Sequence, residues 1–322
     1  MRILILLFLL LTISASSQKK PEDFGWRQID FPYKNSVAKV IVRSKAGEES
    51  KPKPIFFWCQ GSMPQPLIKY EDDGVYGILP FDEKDFLDNY HIVIVSKPGV
   101  PVSAHVSTLS KSLSYLENGN FTKEYAVNNH LAFYVERNNF IVKQLLKEPW
   151  VMKSGFVAAG HSEGTYIAAK MAATNKKVTK LIYSGGNPYG RILSILSQDR
   201  YKNTDTTTID NWKSVVADKD NIIAQGNSDS NKTTYSFSLP IAEDILKLKI
   251  PVLISYGTKD WSTPYNDLLQ TEAIRRGNKN ITLLAYHNTE HNYFPVDDKM
   301  QPDHNVYNWE KVGADWAKWL KQ

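Results

Sequence analysis

The chain has a single cysteine, Cys59, among its 322 residues, so no disulfide can form within it and the fold must be held by its core. Clustered charge is missing as well. Lys and Arg number 39 against 34 Asp and Glu, a formal net charge of +5 spread along the chain, which excludes the concentrated basic face expected of a nucleic-acid binder. Long apolar runs are absent. The longest, Ile3 to Leu11, falls well short of the ~20 residues that span a bilayer. No nucleotide-binding or metal-binding pattern is present, so no cofactor and no metal are expected. No internal repeat stands out.

What is present suits a full-sized core: 42% hydrophobic and 12% aromatic residues, too many for a disordered chain. The start, "MRILILLFLLLTISASSQ", places Arg2 before the short apolar run and small residues after it. That pattern predicts a signal peptide over 1–17, cut after Ala15 or Ser17, and therefore an exported protein, periplasmic or secreted. An uncleaved anchor is the alternative. Cys59 lies in the apolar "IFFWCQG" and reads as a small buried hydrophobe rather than a nucleophile. Asn120, Asn231 and Asn280 open Asn-x-Thr triplets, which matter only in a host that glycosylates.

Beyond the leader, "WRQIDFPY" and "AKVIVR" read as half-exposed strands turned through Lys34 and Asn35. The runs at 54–61, 91–99, 155–162, 178–186, 251–260 and 281–288 are continuously apolar, as strands buried on both faces of a parallel sheet are. Helical patterns lie between them. Leu131, Tyr134, Val135, Val142, Leu145 and Leu146 form one stripe. Thr263-Pro264 opens another helix, which Arg275, Arg276 and Gly277 close. Val306, Trp309, Val312, Trp316 and Trp319 make a third apolar face, read as core packing. The alternation predicts an α/β fold, a mostly parallel sheet flanked by helices over 18–322. Two stretches break it, from Pro98 to about Val127 and from about 187 to 249. The second separates two strong strands and is expected to be an inserted cap.

At 160–164, Gly-His-Ser-Glu-Gly follows an apolar strand and precedes a small-residue helix. The five-residue pattern alone is weak; its setting is that of a nucleophile elbow. A sharp strand-to-helix turn strains the central serine, and bare positions two residues to either side let strand and helix approach. On these residues the chain resembles the α/β-hydrolases, from about residue 26 to the end apart from the two inserts. It is similar to the esterase, dienelactone-hydrolase and prolyl-peptidase branches.

The resemblance implies a Ser-acid-His triad in chain order. Ser162 is then the nucleophile. Asp260, closing "PVLISYGTKD", is the acid, with Asp297 and Asp298 as distant candidates. His291 in "AYHNTEHNYF" is the base, with His287 as the alternative. His161 is expected to line the site or pack. The oxyanion donors are expected to be the backbone N–H of Glu163 and that of Ser62 or Met63, in "CQGSMPQP", where this chain departs from the His-Gly-Gly-Gly type of lipases. The function expected is that of an exported serine hydrolase cutting carboxylic esters through an acyl-enzyme, with no cofactor. The alternatives are a serine peptidase or amidase, in which Glu163 or a cap carboxylate receives a substrate amine, and a non-catalytic binding protein. The partner is a small ester or short peptide, with no nucleic acid and no membrane span after cleavage. Tyr189, Tyr201, Trp212, Tyr235 and Phe237 either line a substrate pocket or pack the cap onto the body.

Overall fold

A computed structural model describes residues 18–202, 207–224 and 226–322; the leader read over 1–17 lies outside them. Eight strands form the main sheet: β1 (Arg27–Tyr33), β2 (Ser36–Arg43), β3 (Lys53–Cys59), β4 (His91–Val95), β5 (Val151–His161), β6 (Val178–Ser184), β7 (Val252–Gly257) and β8 (Ile281–Tyr286). Their order is β1-β2-β4-β3-β5-β6-β7-β8. β1 and β2 run antiparallel, as do β2 and β4; the other neighbours are parallel. The predicted strands are all present. Pro32 is tolerated because β1 is an edge, where a missing N–H leaves no ladder bond unmade.

Alternate residues of the buried strands feed opposite faces. On β3, Ile55, Phe57 and Cys59 enter one core, while Phe56 and Trp58 enter the other. The first is covered by α1 (Leu131–Leu145) and α2 (Glu163–Thr174), and the second by the C-terminal helix Trp309–Leu320. Trp309, Trp316 and Trp319 are buried there, while Val306 lies outside the helix and is exposed. Cys59 is buried, and burial pushes its thiol far above the ordinary range.

Two expectations need correction. The run at 281–288 is not buried on both faces. β8 is the far edge of the sheet, and of its residues only Tyr286 is buried. The polar stretch after Pro98 is not plain insert either: Ser103–His105 pairs with Ile68–Tyr70, which pairs with Val75–Tyr76, in a second, three-stranded sheet. Strands of two or three residues carry too little alternation to be seen in sequence.

Between β6 and β7 the chain forms α3 (Arg191–Tyr201), α4 (Thr208–Ala217), α5 (Asn231–Ser238) and a short helix, Ala242–Lys247. Phe237 and Ile241 fix this segment to the body. Phe237 is fully buried, its ring 6.1 Å from that of Tyr166 and 6.5 Å from that of Tyr134. Then come α6 (Thr263–Arg275), with Pro264 in its first turn, and α7 (Trp309–Leu320).

Candidate active site

The carboxyl ends of β5, β7 and β8 bring three predicted residues together. Ser162 leaves β5 at φ 57° and ψ −127° and is the residue before α2. A non-glycine residue holds that left-handed conformation only when its surroundings impose it. Here they do. A Cβ on Gly160 would lie 2.3 Å from the Gly164 carbonyl oxygen, and one on Gly164 would lie 2.0 Å from that of Cys59. Only bare backbone lets β5, α2 and β3 converge this closely. The Ser162 amide donates to the Ser184 carbonyl at 2.9 Å, tying the turn to β6.

Asp260 follows β7 and is buried. Its Oδ1 accepts the Ser262 amide at 3.0 Å, and its Oδ2 lies 2.8 Å from His291 Nδ1. The loop after β8 reaches it by crossing bare backbone: a Cβ on Gly257 would lie 2.3 Å from the Thr289 carbonyl and 2.4 Å from that of Glu290. Burial alone would keep His291 neutral, but the Asp260 carboxylate beside it outweighs that and holds its pKa above the usual imidazole value. Burial works against the Asp260 charge in the same way, and His291 with the Ser262 amide holds that carboxyl below its usual range. An ionised carboxylate only accepts, so His291 Nδ1 carries the hydrogen and Nε2 is left as a base. His287 is exposed, as are Asp297 and Asp298, and none of the three lines the site.

His161 lies directly beside this pair. Its ring is 4.8 Å from those of His291 and Trp309, and its Nδ1 is 2.9 Å from Ser184 Oγ. Burial lowers its pKa to about 3, so it stays neutral. Ser184 Oγ and Ser255 Oγ in turn meet the Tyr293 hydroxyl at 2.6 and 2.7 Å. Tyr293 sits at φ 64° and is fully buried, pinning the loop that carries His291 to the ends of β6 and β7.

Two cavities open on Ser162 and His291. One, of about 320 Å³, is lined by Glu163, Asn187, Arg191, Gln198, Trp261 and Glu290 among others. The second, of about 410 Å³, runs between Trp58, Met63, Leu67, Ile78, Pro80 and Trp309. Gly61 and Ser62 border the second, and Ser62 also borders the first. None of the aromatics singled out in the insert lines either cavity. Phe237 is core, Trp212 stacks on Tyr235 at 5.9 Å, and Tyr201 packs on Trp261 at 5.0 Å. Trp261, just past Asp260, and Tyr166 of α2 are the aromatics that line the smaller cavity.

Glu163 is not free to receive a ligand. Its side chain is buried, Oε1 accepts from Lys97 Nζ at 3.2 Å, and Oε2 accepts from Arg191 Nη1 at 3.3 Å. Arg191 Nη2 continues to Asp229 at 2.8 Å. Sequence reasoning missed Lys97 and Arg191. The signal available was a lysine ending the apolar "HIVIVSK" and an arginine opening the insert.

Among the described residues no group of His, Cys, Asp and Glu could hold a metal, and no helix is long and apolar enough to cross a membrane. No sequence family and no curated protein matches the chain. Solved structures do. Over 94% of its length the chain is similar to a putative dipeptidyl aminopeptidase IV from Bacteroides ovatus, at 13% identity and a TM-score of 0.57, covering 37% of that chain. It is similar to Est1E from Butyrivibrio proteoclasticus at 12% identity and a TM-score of 0.55, over 91% of this chain and 97% of that one. It is similar to the acylaminoacyl peptidase of Pyrococcus horikoshii at 15% identity and a TM-score of 0.51, over 83% of its own length and 37% of the peptidase. The chain thus spans little more than a third of the length of both peptidases. Together with the strand order and the elbow, these likenesses show that the chain has the α/β-hydrolase fold.

Proposed function

We propose that the chain is a serine hydrolase that cuts carboxylic esters through an acyl-enzyme. The observation that carries this reading is the 2.8 Å contact of His291 Nδ1 with buried Asp260, on the same two cavities as the strained Ser162. His291 Nε2 takes the Ser162 proton as Oγ attacks the acyl carbon. Asp260 holds the tautomer and stabilises the imidazolium. The carbonyl oxygen becomes an oxyanion and accepts from the Glu163 amide and from an amide of the 61–63 loop, at the positive end of α2. The proton on His291 then goes to the leaving alcohol as the acyl–oxygen bond breaks. Water, deprotonated by the same His291, releases the acid and restores Ser162. None of these steps draws on a cofactor.

The preference for esters rests on Glu163. Both its oxygens are engaged by cations, buried Lys97 and half-buried Arg191, so it cannot receive the amine that an aminopeptidase must hold. The peptidase reading keeps one candidate carboxylate. Glu290 lines the smaller cavity and uses only Oε1, on the Asn292 and Phe294 amides. Hydrolysis of an ester and an amide of one acyl group, compared on the same enzyme, separates the two. The helices between β6 and β7 serve as the cap over the smaller cavity, and export through the 1–17 leader completes the proposal; the N-terminal sequence of the mature protein tests the latter. For the central claim, a fluorophosphonate should add once, on Ser162 by peptide mapping, and not in His291→Ala. Folded protein without an adduct would favour the binding-protein reading.

A further inference from the structure

Lys97 follows β4 and is 3% exposed. Its ammonium donates to two acceptors on different segments, Glu163 Oε1 at 3.2 Å and the Ser62 carbonyl at 3.1 Å. On the serine-hydrolase reading, these two segments supply the oxyanion donors. Glu163 is the first residue of α2, where its own amide has no partner within the helix. The Ser62 carbonyl and the Met63 amide are opposite ends of one planar trans peptide, there being no cis peptide bond among the described residues. Gripping the carbonyl oxygen therefore fixes the Met63 N–H, which points away from Lys97. Tyr125 grips the same oxygen, its hydroxyl donating at 2.7 Å. Neither the Ser62 nor the Met63 amide donates to another described residue. The loop also passes against the nucleophile: a Cβ on Gly61 would lie 3.7 Å from Ser162 Cβ.

Neutralising Glu163 accounts for only part of this placement. Arg191 is shared between Glu163 and Asp229, so Lys97 supplies the second positive charge, but a cation serving only as a counter-charge has no need to reach the 61–63 loop. We propose that Lys97 is a positioning residue whose one buried ammonium ties the start of α2 to the 61–63 loop and so sets the spacing of the Glu163 and Met63 oxyanion donors. The inference rests on the serine-hydrolase reading. Oxyanion donors act on charge that develops in the transition state rather than on the bound ester. Loosening the tie therefore lowers kcat and leaves KM nearly unchanged.

Lys97→Met keeps the stem and removes the ammonium. With p-nitrophenyl acetate, kcat should fall about 10- to 100-fold, part of the ~100- to 1,000-fold loss that follows removal of a donor, with KM within about 3-fold. Phenylboronic acid, whose adduct on Ser162 carries a tetrahedral negative charge, should bind more weakly by about the same factor as kcat. Two further variants keep the outcome clear of folding defects. Lys97→Met/Glu163→Gln removes both charges; if the pair is merely structural, kcat returns with the thermal midpoint, whereas the tie predicts that kcat stays about 10-fold low. Tyr125→Phe loosens the same carbonyl without burying a charge and should lower kcat about 3- to 10-fold at constant KM, as loss of one neutral hydrogen bond would. Wild-type kcat in Tyr125→Phe, or unchanged boronate affinity in a folded Lys97 variant, overturns the proposal. Failure of the hydrolase reading is distinct: the unmodified chain then takes no fluorophosphonate on Ser162.

Discussion

The two cavities that meet at Ser162 are built from different parts of the chain. The larger is walled by the body: Trp58 at the end of β3, the segment from Gln60 to Lys69, Ile78, Pro80, and Trp309 at the start of α7. Its lining is mixed, an apolar wall of Trp58, Met63, Leu67, Ile78, Pro80 and Trp309 facing Gln60, Gln65, Lys69 and Asn292. The smaller borrows a wall from the insert, where α3 supplies Arg191, Ser194, Ile195 and Gln198, and it holds Glu163, Asn187 and Glu290 as well. Its lining is polar and charged. The candidate site therefore presents a slot with one apolar wall on the sheet's side, the apolar slot, and a chamber whose side chains are mostly polar or charged on the insert's side, the polar chamber. A substrate with unlike halves fits this division, because apolar groups gain by burial against the wall of the first and polar groups find the ionic partners Glu163, Arg191 and Glu290 in the second.

The largest expected effect does not distinguish the cavities. Ser162→Ala should lower turnover at least about 10⁴-fold, the scale of a lost triad nucleophile, and equally for esters whose bulk fills either side. Turnover of one substrate class that survives the substitution would place a second nucleophile in that cavity and break the comparison.

Next in size is a crossed pair of substitutions. Trp261 lines only the polar chamber and Ile78 only the apolar slot. Trp261→Ala should lower kcat/KM about 10-fold for esters bearing a polar ring. Ile78→Ala should lower it about 3- to 10-fold for medium-chain alkyl esters, on the scale of one or two lost methylene contacts at ~0.8 kcal/mol each. Each should leave the other substrate class within about 2-fold. Both are partly exposed, so neither should shift the thermal midpoint as a core truncation would. Parallel losses on both substrates would mean that the two cavities act as one site.

The same division separates what was legible in the sequence from what was not. Ser162 and its flanking glycines could be read because the strained turn needs residues only two apart in sequence. Asp260 and His291 could be read because chain order and strand ends constrain them once the elbow is found. The positioning groups are built otherwise. Glu163 and Lys97 are 66 residues apart, and Tyr293 and Ser184 are 109 apart. No local spacing rule links such pairs; they meet only because the sheet order sets β4 beside β3, next to β5, and brings the loop after β8 back over β6 and β7. The aromatics of the insert could be read either way for a related reason. An aromatic at helical spacing looks the same whether it faces a cavity or a neighbouring helix, and Trp212 faces Tyr235. The fold's small second sheet was invisible because its strands are too short to show a period.

The smallest expected effect tests whether either cavity titrates on its own. His291 borders both, and in the proposed mechanism it acts only when neutral. Its pKa is held above the usual imidazole value by Asp260, so kcat/KM should fall as pH drops through an acid limb lying above about 6.5. The sign follows from the proton: below that limb His291 is imidazolium and cannot accept from Ser162. His161 borders only the apolar slot, and burial lowers its pKa to about 3, so it stays neutral throughout and adds no second limb. Alkyl esters and polar-ring esters should therefore share one limb to within a few tenths of a pH unit. Two superposed limbs for the alkyl esters alone, lost in His161→Gln, would show that the ring beside His291 gains a proton when the slot is filled. The apolar side would then be the one that sets the pH dependence.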